Sequence, residues 1–203
     1  QVLMGAYREA GRPALGEKVL KTWLSNNPSS VRARLHQALQ LAIARQNEEA
    51  IALADQVLND AAYDPQVVGT VTQIYASMRR QHELIGLLEK HRARRPDNRP
   101  VVEALVMLYQ AQKPAGDAVA IVNALRTSAA DDPELLYYAA GLYDRIEKPA
   151  VREQVLADVI RLDPDHPGAN NDLGYLWAEE GRKLEKAEAM IRSAIAAEPE
   201  NGA

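Results

Sequence analysis

The chain has 203 residues, 24 Lys and Arg against 28 Asp and Glu, a net charge of -4, no cysteine, no phenylalanine, and 47% hydrophobic against 26% charged residues. That is enough apolar material for a core of one to two ordinary domains, and the lack of cysteine excludes disulfides and thiol chemistry. No run approaches the about 18 apolar residues of a membrane-spanning helix, and a pI near 5.6 supplies no basic field for phosphate backbones.

From the N-terminus, Leu3, Met4 and Tyr7 share one face of a first predicted helix, and Gly11-Arg12-Pro13 breaks it. Gly16, Val19, Leu20, Trp23 and Leu24 form the 3.6-residue stripe of a second helix, which Pro28 ends. The same succession then recurs. Tyr7, Leu41, Tyr75, Tyr109, Tyr143 and Trp177 stand 34 residues apart, five of the six being aromatic in a chain with ten aromatic residues. Pro28, Pro96 and Pro164 are spaced by 68, twice that period, and Pro199 follows after 35 because the turn between Gly181 and Ala187 is one residue longer. The last helix pair carries Leu173, Gly174 and Trp177 on its first member and Ala187, Ile191, Ala194 and Ile195 on its second. Neither helix of a pair can bury its stripe within one hairpin, so each pair must stack on the next.

LGYLWAEEG followed by KAEAMIRSAIAAEP, within residues 173–199, resembles the tetratricopeptide repeats: a Leu-Gly pair and Tyr on helix A, a small residue early in helix B, a large residue and an Ala beyond it, and Pro near the end. The resemblance covers the whole chain as six units of about 1–30, 31–64, 65–98, 99–132, 133–166 and 167–203. It implies an all-α fold, an α-α superhelix forming one solenoid domain over residues 1–203, whose A helices line a concave face. Ala38, Ala140 and Gly174 on A helices, with Ala50 and Ala118 on B helices, are the small residues that let backbones approach. Thr72, Val106, Leu84 and Arg152 depart from the pattern, which predicts looser helix contacts and altered curvature there. The wording of the repeats resembles bacterial members. The chain opens on Gln1 and ends directly behind a helical run, as a fragment of a longer repeat protein would.

Chemistry-bearing patterns are sparse. His36, His82, His91 and His166 have no metal-ligand spacing and read as helix-surface or turn residues. Glu48-Glu49, Asp131-Asp132 and Glu179-Glu180 flank helix ends, where carboxylates suit the helix dipole better than acid-base work. LDPDHPGANND, residues 162–172, lacks the central glycine and twelfth-position glutamate of a calcium loop and reads as the turn between units. The glycines form no phosphate-binding motif, so no cofactor and no metal is expected, and no catalytic residue is assigned. Lys90, His91, Arg92, Arg94 and Arg95 make the one dense basic cluster, at the end of a B helix where cations complement the dipole.

What the resemblance implies for binding lies on the A helices, at positions facing away from the core: Leu35, His36, Leu39, Thr70, Gln73, Met107, Tyr137, Tyr138, Asn171, Asp172 and Tyr175. Tyr, Asn and Met combine apolar area with adaptable contacts. Leu35, Leu39, Thr70, Pro100 and Ala104 stand where chaperone-tail-binding members carry Lys, Asn and Arg, so no clamp for a terminal carboxylate is expected. The leading expectation is a non-catalytic scaffold that holds a protein or peptide segment in a groove. The alternative is the repeat arm of a larger enzyme or of a secretion or polysaccharide apparatus, positioning substrate for an attached domain. Self-association through open end units is a third expectation. The groove set holds no Lys or Arg, which argues against nucleic acid, and the compartment stays open between cytoplasm and periplasm.

Overall fold

The computed structural model describes residues 10–111 and 116–197; Leu3, Met4, Tyr7 and Pro199 lie outside them. The described residues are all-α, in eleven helices: α1 (Pro13–Asn26), α2 (Val31–Ile43), α3 (Asn47–Ala61), α4 (Pro65–Ser77), α5 (Gln81–Arg94), α6 (Arg99–Ala111), α7 (Gly116–Ser128), α8 (Pro133–Arg145), α9 (Pro149–Leu162), α10 (Pro167–Glu179) and α11 (Leu184–Ala197). Where the connections are described, short turns join successive helices into antiparallel hairpins, the arrangement the resemblance to tetratricopeptide repeats implies. The chain forms two compact units, Gln1–Ala104 and Leu105–Ala203. In the first, α2 pairs with α3 and α4 packs on both; in the second, α8 pairs with α9, and α10 with α11.

Each A helix among the described residues begins on the same device. Ser30, Asp64, Asn98, Asp132 and His166 stand 34 residues apart, and each side chain accepts a backbone N–H from two or three residues ahead: Ala33, Gln66, Val101, Leu135 and Ala169. These caps satisfy donors that the first helical turn leaves unpaired, and proline in the first turn of α4, α8 and α10 sacrifices no hydrogen bond.

Four A helices, α2, α4, α8 and α10, also end alike. Arg45, Arg79, Glu147 and Gly181 adopt left-handed backbone with φ of 62°, 58°, 55° and 64°. The next residue returns its N–H five residues back, from Gln46 to Leu41, Arg80 to Tyr75, Lys148 to Tyr143 and Arg182 to Trp177. This is a Schellman motif, and its carbonyl acceptor is each time the residue of the 34-residue ladder. Three of those left-handed positions carry side chains that disfavour the conformation. Arg45→Gly, Arg79→Gly and Glu147→Gly should each stabilise by about 0.5–1 kcal/mol, the relieved strain exceeding glycine's added chain entropy. Urea titration of the triple variant checks the sum.

Three ladder side chains reach back to the preceding B helix. Tyr75 is 2% exposed and donates its hydroxyl to Asp55 at 2.6 Å; Tyr143 is 0% exposed and donates to Asn123 at 2.6 Å. Acceptor and ring are 20 residues apart in both units of the chain. The larger indole of Trp177 reaches one turn further back, donating Nε1–H to Glu153 at 2.7 Å. Small residues bring the helices together: Ala38, Ala50, Ala54, Ala118 and Ala139 are fully buried. Leu84 and Val106 are fully buried too, so those two departures from the repeat pattern fill the core.

Glu153 also accepts from Arg182 at 3.0 and 3.2 Å, and the Arg182 and Trp177 bonds hold its carboxyl below the usual range. The folded value lies below the unfolded one, so the stabilisation is present above the ordinary pKa of 4.5 and disappears as pH falls through the folded value. Glu153→Gln should cost on the order of 0.5–1 kcal/mol at pH 7, allowing for solvent screening at this half-exposed Arg182. The gap between variant and wild type should close in thermal melts taken progressively below pH 4.5.

Candidate functional site

In the first unit, α2 and α4 carry five of the groove residues expected from sequence. Leu35, His36, Leu39 and Thr70 line one cleft of about 290 Å3, together with Trp23 from α1, Arg32 from α2 and Gln66 from α4. Helical spacing explains the grouping. Arg32, His36 and Leu39 follow one another at i, i+4 and i+7 along one face of α2, and Gln66 and Thr70 do so at i and i+4 on α4. Gln73 is exposed and lies outside the cleft lining.

The cleft mixes apolar walls with few polar groups. Leu35 is 6% exposed, so it belongs to the core and shows the cleft only an edge. The rings of Trp23 and His36 meet at 6.2 Å between centroids, tilted by 51°. Burial pushes the His36 imidazole below its ordinary value, which favours the neutral ring at pH 7. Arg32 is exposed and is the fixed charge of the lining, which contains no carboxylate. Trp23, Arg32 and Gln66 are absent from the set expected from sequence. Trp23 reads as part of a B-helix stripe, and the signal for Arg32 was its place one turn before His36.

In the second unit the expected residues divide. Met107 on α6, with Asn171 and Tyr175 on α10, are exposed, Met107 and Tyr175 by 58% and 59%. Tyr138 on α8 is half-buried. The Glu179 carboxylate beside the Tyr175 hydroxyl raises its pKa. Tyr137 and Asp172 are engaged within the fold. The Tyr137 ring lies 4.7 Å from that of His166, and its hydroxyl donates to Asp172 at 3.5 Å. A side chain at Gly168 would come within 2.6 Å of the same ring, so the glycine makes room for it. Arg152 takes the helix B position filled by Ala50 and Ala118 and bridges Asp172 at 3.0 Å and Asp144 at 3.3 Å.

Two histidines depart from the surface role expected of them. His166 is 4% exposed because it caps α10: Nδ1 accepts the Ala169 N–H at 3.1 Å, and the Tyr137 ring covers the imidazole. His91 is 9% exposed in the last turn of α5, and burial, reinforced by Arg94, lowers its pKa. The basic cluster is correspondingly reduced. Arg92 pairs with Glu89 at 2.7 Å and Arg95 stacks 5.7 Å above the Tyr63 ring, leaving Lys90 and Arg94 exposed beside them. Among the described residues no group of His and acidic side chains is arranged to hold a metal, and no helix is long and apolar enough to cross a membrane.

Comparison with protein-family models gives no match, nor does comparison with curated protein sequences. Among solved structures the chain is similar to YrrB, a TPR protein with an unusual peptide-binding site, at 17% identity and a TM-score of 0.45, covering 89% of this chain and 93% of that one. It is similar to MamA at 13% identity and a TM-score of 0.48, covering 81% and 95%. It is also similar to TTC0263, a thermophilic TPR protein in Thermus thermophilus, at 17% identity and a TM-score of 0.47, covering 85% and 93%. The repeat architecture itself rests on this chain's own 34-residue return of cap, ladder residue and left-handed turn.

Proposed function

We propose that this array of tetratricopeptide-type hairpins is a non-catalytic scaffold that holds an extended segment of another protein against its A helices. The observation that carries the reading is the cleft between α2 and α4, where Leu35, His36, Leu39 and Thr70 come together around the Trp23 ring. A cleft of about 290 Å3 accommodates one or two side chains of a longer segment, at the lower edge of what a complete small-molecule site offers. Trp23 and Leu39 supply apolar contact, while Arg32, Gln66 and Thr70 supply polar groups that fix orientation. The side chains stand on regular helices, so little ordering entropy opposes binding. In the second unit, exposed Met107, Asn171 and Tyr175 with half-buried Tyr138 offer adaptable contacts of the same kind.

The test combines affinity capture from cognate extract with site-specific photo-crosslinking. A photoreactive residue at Thr70 should crosslink the captured protein, whereas one at exposed Glu188 on α11 should not. Leu39→Arg, which fills the cleft from a half-buried position, should reduce capture at least about tenfold, a loss of roughly 1.4 kcal/mol or more. Equal crosslinking from both positions, or capture indifferent to Leu39→Arg with helicity retained, overturns the reading.

A further inference from the structure

A second cleft lies between two B helices and the start of an A helix, outside every residue of the groove set. It has a volume of about 410 Å3 and is walled by Asn123, Arg126 and Thr127 on α7, Leu136 on α8, and Asp158 and Arg161 on α9. We propose that it binds a phosphoryl group carried on a small apolar moiety, a phosphomonoester.

The walls present donors in excess of acceptors. Arg126 and Arg161 approach the two oxygens of one carboxylate, at 3.0 Å to Asp158 Oδ2 and 3.5 Å to Asp158 Oδ1. One carboxylate against two guanidinium groups leaves a net charge of +1, and both Asp158 oxygens are already engaged. Further N–H groups of both guanidiniums remain to donate. Asn123 adds to them, because its Oδ1 accepts the hydroxyl of buried Tyr143 at 2.6 Å. That bond fixes the amide orientation and leaves the NH2 end as a donor at the cleft wall. An incoming group therefore meets N–H donors and a net wall charge of +1, offset in part by the C-terminal turns of α7 and α9 that carry Arg126 and Arg161, a balance that still favours an oxyanion.

Three donor groups at three positions on two helices match the three terminal oxygens of a phosphoryl group better than the two of a carboxylate. Guanidinium groups also fit phosphate oxygens in a bidentate fashion. Asp158 positions the two arginines before a ligand arrives, so less side-chain entropy is lost on binding. Leu136, 2% exposed, belongs to the core and shows the carbon that bears the phosphoryl group only an apolar edge. An ordinary surface ion-pair cluster would share the charges, but it would not discriminate between oxyanions of different geometry.

The experiment is an amide-shift NMR titration of the whole chain at low salt with phenyl phosphate, inorganic phosphate and benzoate. Phenyl phosphate should bind saturably with Kd on the order of 1 mM, shifting the amides of Asn123, Arg126 and Arg161. Inorganic phosphate should compete for the same amides, and benzoate should bind at least about fivefold more weakly, a difference of roughly 1 kcal/mol. Arg161 is 66% exposed, so Arg161→Gln leaves the fold intact and should weaken phenyl phosphate by a similar factor. A phosphotyrosine pentapeptide then separates the sources: tighter binding than phenyl phosphate supports a modified protein, and equal binding supports a free phosphoester. Absence of saturable shifts, equal affinity for benzoate, or indifference to Arg161→Gln overturns the proposal.

Discussion

Replacing Tyr143 with alanine should lower the free energy of unfolding by about 3–5 kcal/mol, a large part of what a domain of this size possesses. The side chain is 0% exposed and is the largest of the fully buried side chains among the described residues. Truncation removes the ring from the contact between α7 and α8 and leaves a cavity that backbone hydrogen bonds on both helices resist collapsing. The hydroxyl contributes separately. Tyr143→Phe should cost only about 1 kcal/mol, because it abolishes the bond to Asn123 while keeping the ring. Tyr63→Ala is the matched control: that ring is 54% exposed, in the turn after α3, and the Arg95 guanidinium stacks on it. It should change stability by less than about 1 kcal/mol. Urea unfolding followed by far-UV circular dichroism distinguishes the three; comparable losses for Tyr143→Ala and Tyr63→Ala would contradict the ladder's structural role.

Gly174→Val should be nearly as damaging, and its damage should stay local. A Cβ at this position would lie 2.9 Å from Ile191 Cγ1 and 3.0 Å from the backbone oxygen of Ala187, so α10 and α11 would have to separate. Overpacking of this kind costs about 1–3 kcal/mol, and the branched side chain adds to it. Because α11 is held chiefly through α10, amide exchange in α11 should accelerate at least about tenfold while exchange in α2 and α3 stays as in wild type. Gly141→Ala gives the opposite sign. Nothing lies within 4 Å of a Cβ placed there, and the residue is exposed in mid-helix, so alanine should stabilise by roughly 0.5–1 kcal/mol.

The 34-residue ladder was legible in the sequence because large side chains at one position of each unit have a single physical task, filling the gap that small residues such as Ala38 and Gly174 open. The caps were equally present in the letters, as Ser30, Asp64, Asn98 and Asp132, but the fifth member is His166, an uncommon cap, and it reads as an isolated turn histidine. Its burial follows from Tyr137, which lies 29 residues earlier in sequence and reaches it only after α8 and α10 have packed in the second unit. A separation of 20 residues hides the engagement of Asp172 by Arg152, since a residue expected to be small becomes a long cation that reaches into the groove set. Conversely, the cleft around Leu39 and Thr70 was half visible: the repeat phase places the A-helix residues, whereas Trp23 enters from a helix whose stripe looks wholly committed to the core.

The ladder hydroxyls of Tyr75 and Tyr143 each reach an acceptor 20 residues back, so these ties close short loops of chain. A molecule held together by such nearby ties resists a stretching force as a series of small latches. Drawn out by its ends in an optical trap, the chain should lengthen in discrete increments, each freeing one 34-residue hairpin and about 120 Å of extended backbone. Peeling should start where a hairpin has fewest neighbours, at an end, and refolding should retrace the steps quickly because contact order is low.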